Sequence, residues 1–368
     1  MRLTILQPDI LPAIQSVSRS VGVRSQLPVL NNILLSAGSG KLKLSATNLE
    51  IGVVKEVKAE VDEIGEVSVP AKTLLEVVAN LAGQKLELQA SSDQLNITTP
   101  SFSSQINGVA ASEFPVIPMG DDKVGVRIDP KILLESLPKI TFSAAVDEGR
   151  PILTGILTEI KDKNLQLVAT DGFRLAYMAH PVARAANFKA LIPRRTFEEI
   201  LRLMVEDEMD EVIISTSENQ NQMIFSFGAT KLSSRLIEGN FPAWEKIIPQ
   251  EFKSRIVVDR AQFLKAVKLA SVFAKDGANV IKLQNLPDKL TLTSEAKELG
   301  SQKSEVEAQS EGEQLTVAFN SKFLFDVLAA LTVGQVIFEL SGPLSAASIK
   351  PMGQDGLQYI VMPVNLTS

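Results

Sequence analysis

No cysteine occurs among the 368 residues. Disulfides, thiolate zinc sites and cysteine nucleophiles are therefore excluded together, and the composition fits a reducing cytoplasm. Histidine is nearly absent too, with His180 the only one. A Ser-His-Asp relay would have to use it, yet no nucleophile elbow accompanies it. It stands between Ala179 and Pro181 at a strand end and reads as a surface residue. No uncharged apolar run reaches the length of about 18 residues needed to cross a bilayer, so no membrane partner is expected. The opening run MRLTILQPDILPAI carries Pro8 and Asp9, which is not signal-peptide grammar.

What the chain does have is repetition. KLKLSAT (41–47), NLQLVAT (164–170) and KLTLTSE (289–295) repeat one strand pattern, 123 and 125 residues apart. PAKTLLEVV (70–78), PRRTFEEIL (193–201) and NSKFLFDVL (320–328) repeat a helix start, opening on Pro70, Pro193 and Asn320. Each carries a cation two positions on: Lys72, Arg195 and Lys322. A third set, LQPDILPAI, IDPKILLES and VDRAQFLKA, opens each copy. Three segments recurring in one order predict three modules of about 120 residues, placed at 1–119, 120–249 and 250–368. Phe114-Pro115 and Phe241-Pro242 mark the linkers.

Within a module the pattern reads helix, strands, helix, strands. The expected class is α+β, with two helices on one face of an antiparallel sheet. LQLVATDGFRLAY (165–177) reads as a hairpin through Asp171-Gly172, and Gly38-Ser39-Gly40 as another. The polar segment ELGSQKSEVEAQSEGEQ is expected to be a mobile loop. Sheets of this kind have exposed edges that attract pairing. Three modules joined edge to edge leave the first and last edges open. A second copy closes them head to tail, giving a ring with helices inside and sheet outside.

The net charge of −6 argues at first against a nucleic-acid partner. Its distribution argues the other way. Six predicted helix windows (8–24, 70–82, 130–139, 193–204, 260–275, 320–331) hold thirteen basic and six acidic residues, leaving −13 elsewhere. One cationic and one anionic surface is the footprint of a protein with a DNA-facing side. In 260–275, Arg260, Lys265, Lys268 and Lys275 fall on one arc, opposite Phe263, Ala266, Val267, Ala270 and Phe273. Two other functions compete with this one. A metal-dependent hydrolase would use Asp121, Asp122, Asp147 and Asp171, but no cluster at ligand spacing surrounds them, and a lone Asp before Gly is turn chemistry. A scaffold binding only proteins would leave the helix charge unexplained.

The three modules, the GVRSQLPVLNN loop, the ATDGFRLA hairpin, the NFP linker and the tail YIVMPVNL together resemble the bacterial replicative sliding clamps, the β subunits of DNA polymerase III. The resemblance spans the whole chain. It implies a non-catalytic homodimeric ring around duplex DNA, without cofactor or metal, which tethers the replicative polymerase. A clamp loader and other partners would dock by short apolar peptides. The implied peptide pocket comprises Leu153, Thr170, Gly172, Phe173, Arg174, Leu175, Pro242, Lys246, Ile247, Phe323, Ile360, Val361, Met362, Pro363, Val364 and Leu366. The implied DNA-facing cations are Arg24, Lys72, Arg150, Arg194, Arg195, Lys265 and Lys268. The implied dimer contact sets Val272 and Phe273 against Ile106. The chain departs from the family pattern at Phe173, where histidine is usual, at Lys246 in place of arginine, at Asn365 in place of a basic residue, and in the Thr367-Ser368 extension.

Overall fold

A computed structural model describes residues 1–22, 27–183, 187–206, 209–217, 221–275, 278–296 and 298–365. Six α-helices form among them: α1 (Gln7–Ser18), α2 (Ala71–Ala79), α3 (Pro130–Ile140), α4 (Arg194–Glu206), α5 (Arg260–Ala274) and α6 (Ser321–Ala330). Their starts follow the predicted signals. Pro70 and Pro193 immediately precede α2 and α4. Asn320 caps α6 by accepting the Lys322 N–H at 2.9 Å, and Asp259 caps α5 by accepting the Gln262 N–H at 2.8 Å.

The strands form antiparallel sheets of five, eight and twelve strands. The chain falls into two compact units, Met1–Lys131 with Glu198–Leu236, and Ile132–Phe197 with Ile237–Ser368. Compactness thus divides in two a chain whose repeat divides in three. The reason is that hydrogen-bond ladders run through the joins between repeats. In the first unit, Thr230–Arg235 pairs with Ile51–Lys58, with Leu232 opposite Val53. In the second, Arg174–Pro181 pairs with Leu357–Val361, with Leu175 opposite Ile360.

Both joins are built on the same turn. Thr170 Oγ1 donates to the Arg174 carbonyl at 2.6 Å and accepts the Gly172 N–H at 3.1 Å, while Asp171 Oδ1 accepts the N–H groups of Phe173 and Arg174. Thr47, Asn48, Leu49, Glu50 and Ile51 reproduce each of these bonds. The carbonyl at the turn's end then accepts from the neighbouring repeat: Glu50 from Arg235 N–H at 2.8 Å, Phe173 from Met362 N–H at 2.9 Å. Gly172 sits at φ +91°, a conformation that suits glycine, whereas Leu49 holds φ +75° at the matching position.

The helices pack on one face of their sheets, as the amphipathic patterns predict. Ile10, Ala13, Ile14 and Val17 bury the inner side of α1 against α2 and the strands 41–47 and 51–58. Phe263, Ala266, Val267 and Ala270 do the same for α5 against α6 and the strands 289–296 and 300–312. Phe263 and Phe319 both meet Phe338, with centroids 5.9 and 5.8 Å away. Burying aromatic rings of this size contributes roughly 1.5–3 kcal/mol each.

One expectation is overturned. The polar segment read as a mobile loop is the thirteen-residue strand Gly300–Gly312. Its residues 300–307 pair with Lys289–Ala296, and 308–312 pair with Ser254–Val258. Composition misled because the period-2 pattern is carried by only two inward residues, Val306 and Ala308, both buried. Its charged side chains are exposed, and Glu305 pairs with Lys289 on the neighbouring strand and with Lys303 on its own. Lys289 and Lys303 hold the Glu305 carboxylate at 2.8 and 2.9 Å.

Among the described residues, every sheet ends in strands laddered on one side only, among them Glu60–Glu63, Val126–Ile128, Phe188–Pro193 and Thr316–Asn320, and two further one-sided stretches lie in the first and last repeats. Phe102–Asn107 pairs only with Gln94–Thr99. Residues 300–307 pair only with Lys289–Ala296.

Hydrogen bonds from Lys289 and then Lys303 lower the Glu305 pKa to about 2. A group depressed in the folded state stabilises fully above its unfolded range, and that contribution disappears as pH falls through about 2. Carboxyl titration followed by NMR is expected to place Glu305 near that value, and Lys289→Met is expected to move it toward an ordinary glutamate. An ordinary Glu305 in the unsubstituted protein would contradict the pairing.

Candidate functional site

The hairpin around Asp171-Gly172 positions the richest cluster of candidate residues, all in the second unit. Arg174 lies at its centre and is buried. Its Nε donates to Asp171 Oδ2 at 3.0 Å, Nη1 to Asp326 Oδ2 at 2.6 Å and Nη2 to the Phe142 carbonyl at 2.7 Å. The guanidinium also sits 5.3 Å from the Phe142 ring centroid and 4.8 Å from that of Phe323. Two carboxylates, a carbonyl and two ring faces satisfy the charge. Arg174 therefore anchors the hairpin to α6 instead of presenting a free cation to a ligand.

Past Arg174, the strand delivers Leu175 into an apolar cluster with Leu157, Val168, Leu191, Trp244 and Ile360. Ile152, Tyr177, Ile237, Phe241 and Ile248 pack against this cluster, and Trp244 stacks on Tyr177 at 4.8 Å. Trp244 opens a short 3-10 turn, Trp244–Ile247, and Leu153 lies buried in another, Pro151–Thr154. The tail is fixed on both sides. Met362 N–H donates to the Phe173 carbonyl at 2.9 Å, and Val364 N–H to the Ala318 carbonyl at 2.8 Å.

The predicted pocket residues thus gather around one floor and one rim. Leu153, Thr170, Arg174, Leu175, Ile360 and Val361 are buried; Phe323, Pro363 and Val364 are half-buried. Phe173, Pro242, Lys246, Ile247 and Met362 are exposed. Leu366 and the Thr367-Ser368 extension lie outside the described residues. Sequence reasoning missed Trp244, Tyr177, Phe142 and Asp326. Trp244, the sole tryptophan, stands two residues after the repeated Phe-Pro pair and was a usable signal. Asp326 gave none, because its partner lies 152 residues away.

The predicted DNA-facing cations are less uniform. Arg24 lies outside the described residues. Arg150 is drawn to the hairpin: its guanidinium lies 6.0 Å from the Phe173 ring centroid, and a Cβ on Gly172 would stand 3.0 Å from its Nη1. Lys72 is exposed 3.9 Å from Glu76, Arg195 is exposed 3.5 Å from Glu148, and Arg194 is half-buried. Lys265 is exposed, while Lys268 stands over the Phe325 ring at 5.4 Å. Arg260, placed by periodicity on the same arc, instead donates to the carbonyls of Leu328 and Val333 near the end of α6. Of the predicted dimer residues, Val272 is exposed and Phe273 half-buried, but Ile106 is buried within its own chain. The exposed aromatic on that edge strand is Phe102.

The aspartates of the hydrolase reading each have local partners. Asp121 accepts the Lys123 N–H and Asp147 the Gly149 N–H. Asp122 accepts from Lys231 at 2.7 Å and from Ser226 at 2.8 Å. Burial pushes its pKa up, and these two hydrogen bonds more than offset that, holding the carboxyl below its usual range. Among the described residues no group of three or more metal-ligating side chains gathers.

Three family models cover nearly the whole chain: the N-terminal domain of the DNA polymerase III beta subunit matches 1–118, the central domain 127–243 and the C-terminal domain 245–365. The β sliding clamp of Synechococcus elongatus is 31% identical over 376 residues, covering 100% of both chains. A crystal structure of the Caulobacter crescentus β sliding clamp, 30% identical, matches with a TM-score of 0.93 over 100% of this chain and 99% of that one. It carries polyethylene glycol in what is described as its β-motif tethering region. The Pseudomonas aeruginosa sliding clamp bound to griselimycin, 28% identical, also matches with a TM-score of 0.93, over 100% of each chain.

Removing the Arg174 side chain takes the closest partner from Asp326 and the Phe142 carbonyl and leaves Asp171 only its turn N–H bonds and Asp326 only the more distant Lys322. Arg174→Ala is expected to lower stability by about 3–5 kcal/mol in urea unfolding, and Asp326→Asn by less, since Asp171 remains. A loss from Arg174→Ala within the roughly 0.5 kcal/mol range of ordinary surface changes would refute the anchoring role.

Proposed function

This chain belongs to the DNA polymerase III β-subunit family, and from that premise we propose that two copies close head to tail into a ring around duplex DNA. The family is a non-catalytic processivity factor of DNA polymerase III. The observation that supports the ring is that the first and the last repeat each carry a one-sided strand, Phe102–Asn107 and residues 300–307. Unpaired strand edges seek partners, and no closed arrangement of one chain is needed if each edge meets the other on a second copy. Exposed Leu269 and Val272 on α5, with half-buried Phe273, supply apolar area for such a seam. Because Ile106 is turned inward, Phe102 is the stronger candidate opposite them.

In this reading the modules are 1–119, 120–249 and 250–368, each supplying two helices to the inner surface. Lys72, Arg195, Lys265 and Lys268 meet phosphates without reading sequence, together with Arg24 and Arg194. Such contacts are weak and salt-sensitive, with non-specific dissociation constants of about 10⁻⁴ to 10⁻⁶ M. Enclosure converts them into a sliding bearing, since release requires opening the seam or reaching a DNA end. The cell compartment is the cytoplasm, where replication proceeds; no helix among the described residues is long and apolar enough to cross a membrane.

The hairpin site is the docking place for partners. An extended peptide with an apolar anchor suits a floor of Leu175, Ile360 and Trp244 beside the exposed Pro242, Ile247 and Met362. The polyethylene glycol in the Caulobacter relative's tethering region supports a ligand site in this fold. Replicative polymerase, clamp loader and other clamp-binding proteins would share it. Arg150 fits this site better than the DNA surface, given its place over Phe173.

Loaded by a clamp loader and ATP, the protein is expected to stay on nicked circular DNA far longer than on linear DNA of the same sequence. Cutting the circle should release it. Equal lifetimes on the two forms, or a strictly monomeric mass of 39.9 kDa at micromolar concentration, would rule out the ring.

A further inference from the structure

The row of side chains that crosses the docking sheet changes character at one residue. Register places Leu191, Leu157, Val168 and Tyr177 side by side on neighbouring strands, followed by Gln358. The two leucines and the valine belong to the apolar floor. Tyr177 packs against that floor on one side and on the other lines a cavity of about 220 Å³, shared with Ile337, Lys350 and Gln358. Its ring is held by Trp244, stacked 4.8 Å away with the planes 22° from parallel. Two stacked rings therefore stand between the floor and the cavity beyond it. The repeat supplies the contrast. In the first unit, Ser45, Val54, Lys231, Ser226 and Ile213 form the matching row. Val54 holds the place of Tyr177, and the equivalent cavity, lined by Val54, Ile213, Ser226 and Lys231, measures about 620 Å³.

We propose that Tyr177 is a specificity-determining residue: as the end wall of the docking floor, it limits the length of the apolar anchor that a partner peptide can seat. An anchor lying on Leu175 and Ile360 meets Tyr177 two strand positions on, a distance of about 7 Å. A side chain longer than one ring would have to displace two stacked rings that are themselves packed on the floor. Overfilling a packed apolar site costs affinity. A shorter anchor gains by burial without moving them. The inference rests on the docking role proposed above.

The test uses fluorescent peptides identical except at the anchor, which is phenylalanine or the two-ring 4-phenylphenylalanine. They are titrated by anisotropy against the whole chain, Tyr177→Val and Tyr177→Phe. Val54 shows that this ladder position accepts valine. Circular dichroism checks each variant, and Tyr177→Leu replaces Tyr177→Val should the latter not fold. The unsubstituted protein should prefer phenylalanine at least about tenfold. Tyr177→Phe should keep that preference, and Tyr177→Val should erase or reverse it. Equal affinities in the unsubstituted protein, a preference that survives in Tyr177→Val, or one that is lost in Tyr177→Phe would overturn the proposal. A third peptide with its anchor replaced by alanine separates the two readings. If it binds the unsubstituted protein as well as its parent does, the docking site itself is wrong; if it fails while Tyr177→Val changes nothing, only the role of Tyr177 is lost.

Discussion

A strand at the margin of a sheet carries backbone N–H and C=O groups that must find partners in water or in another strand. This constraint organises the molecule. Each repeat is a layer of helices over an antiparallel sheet, and each sheet would end in such margins. Arg174–Pro181 gives its margin to Leu357–Val361, and Ile51–Lys58 gives its own to Thr230–Arg235. The Thr-Asx turn at the head of each donor strand directs one more carbonyl, from Phe173 or Glu50, at the neighbouring repeat. The joins are thus ladders, not loose linkers, and the compact units cut through the central repeat for that reason.

The two joins share their turn and differ in what fills it. Displaced by the repeat, Leu175 corresponds to Gly52, Trp244 to Ile117 and Ile360 to Ser233. In the first join, a Cβ on Gly52 would stand 2.8 Å from both Ile117 Cγ2 and Ser233 Oγ. The linker's own isoleucine therefore seals that join, packed with Val29, Leu30 and Phe114. In the second, leucine, isoleucine and tryptophan build a broader apolar floor, flanked by exposed Ile247 and Met362. Duplication made two equivalent places, and side-chain volume left one of them suited to a guest.

The repeat made much of this legible. Helix starts at Pro70, Pro193 and Asn320, the hairpins at Gly38–Gly40 and Asp171-Gly172, and the edge-to-edge joins all follow from local pattern and spacing. The strand Gly300–Gly312 was hidden because polar composition outweighed two buried residues in the reading, whereas the ladder on both its flanks decides the fold. Arg150 and Arg174 were legible as members of a site but not in their roles. A cation is read from sequence as a charge, and its fate depends on partners such as Asp326 and Phe173 that lie far away or carry no charge.

The same limit bears on the helix charges. Counting cations in the helix windows treats each as available, yet Arg260 is spent on the carbonyls of Leu328 and Val333. Arg202 is spent on Glu199, Glu206 and the Ser16 carbonyl, where it ties α4 to α1. Lys322 lies 3.9 Å from Asp326, which also holds Arg174. What remains for a polyanion is a sparse set of exposed lysines and arginines, several with a carboxylate nearby. Exposed pairs of that kind contribute roughly 0–1 kcal/mol each and are screened by salt. In the ring proposed above, cations this sparse would grip DNA only weakly, and enclosure would have to supply the retention that affinity does not.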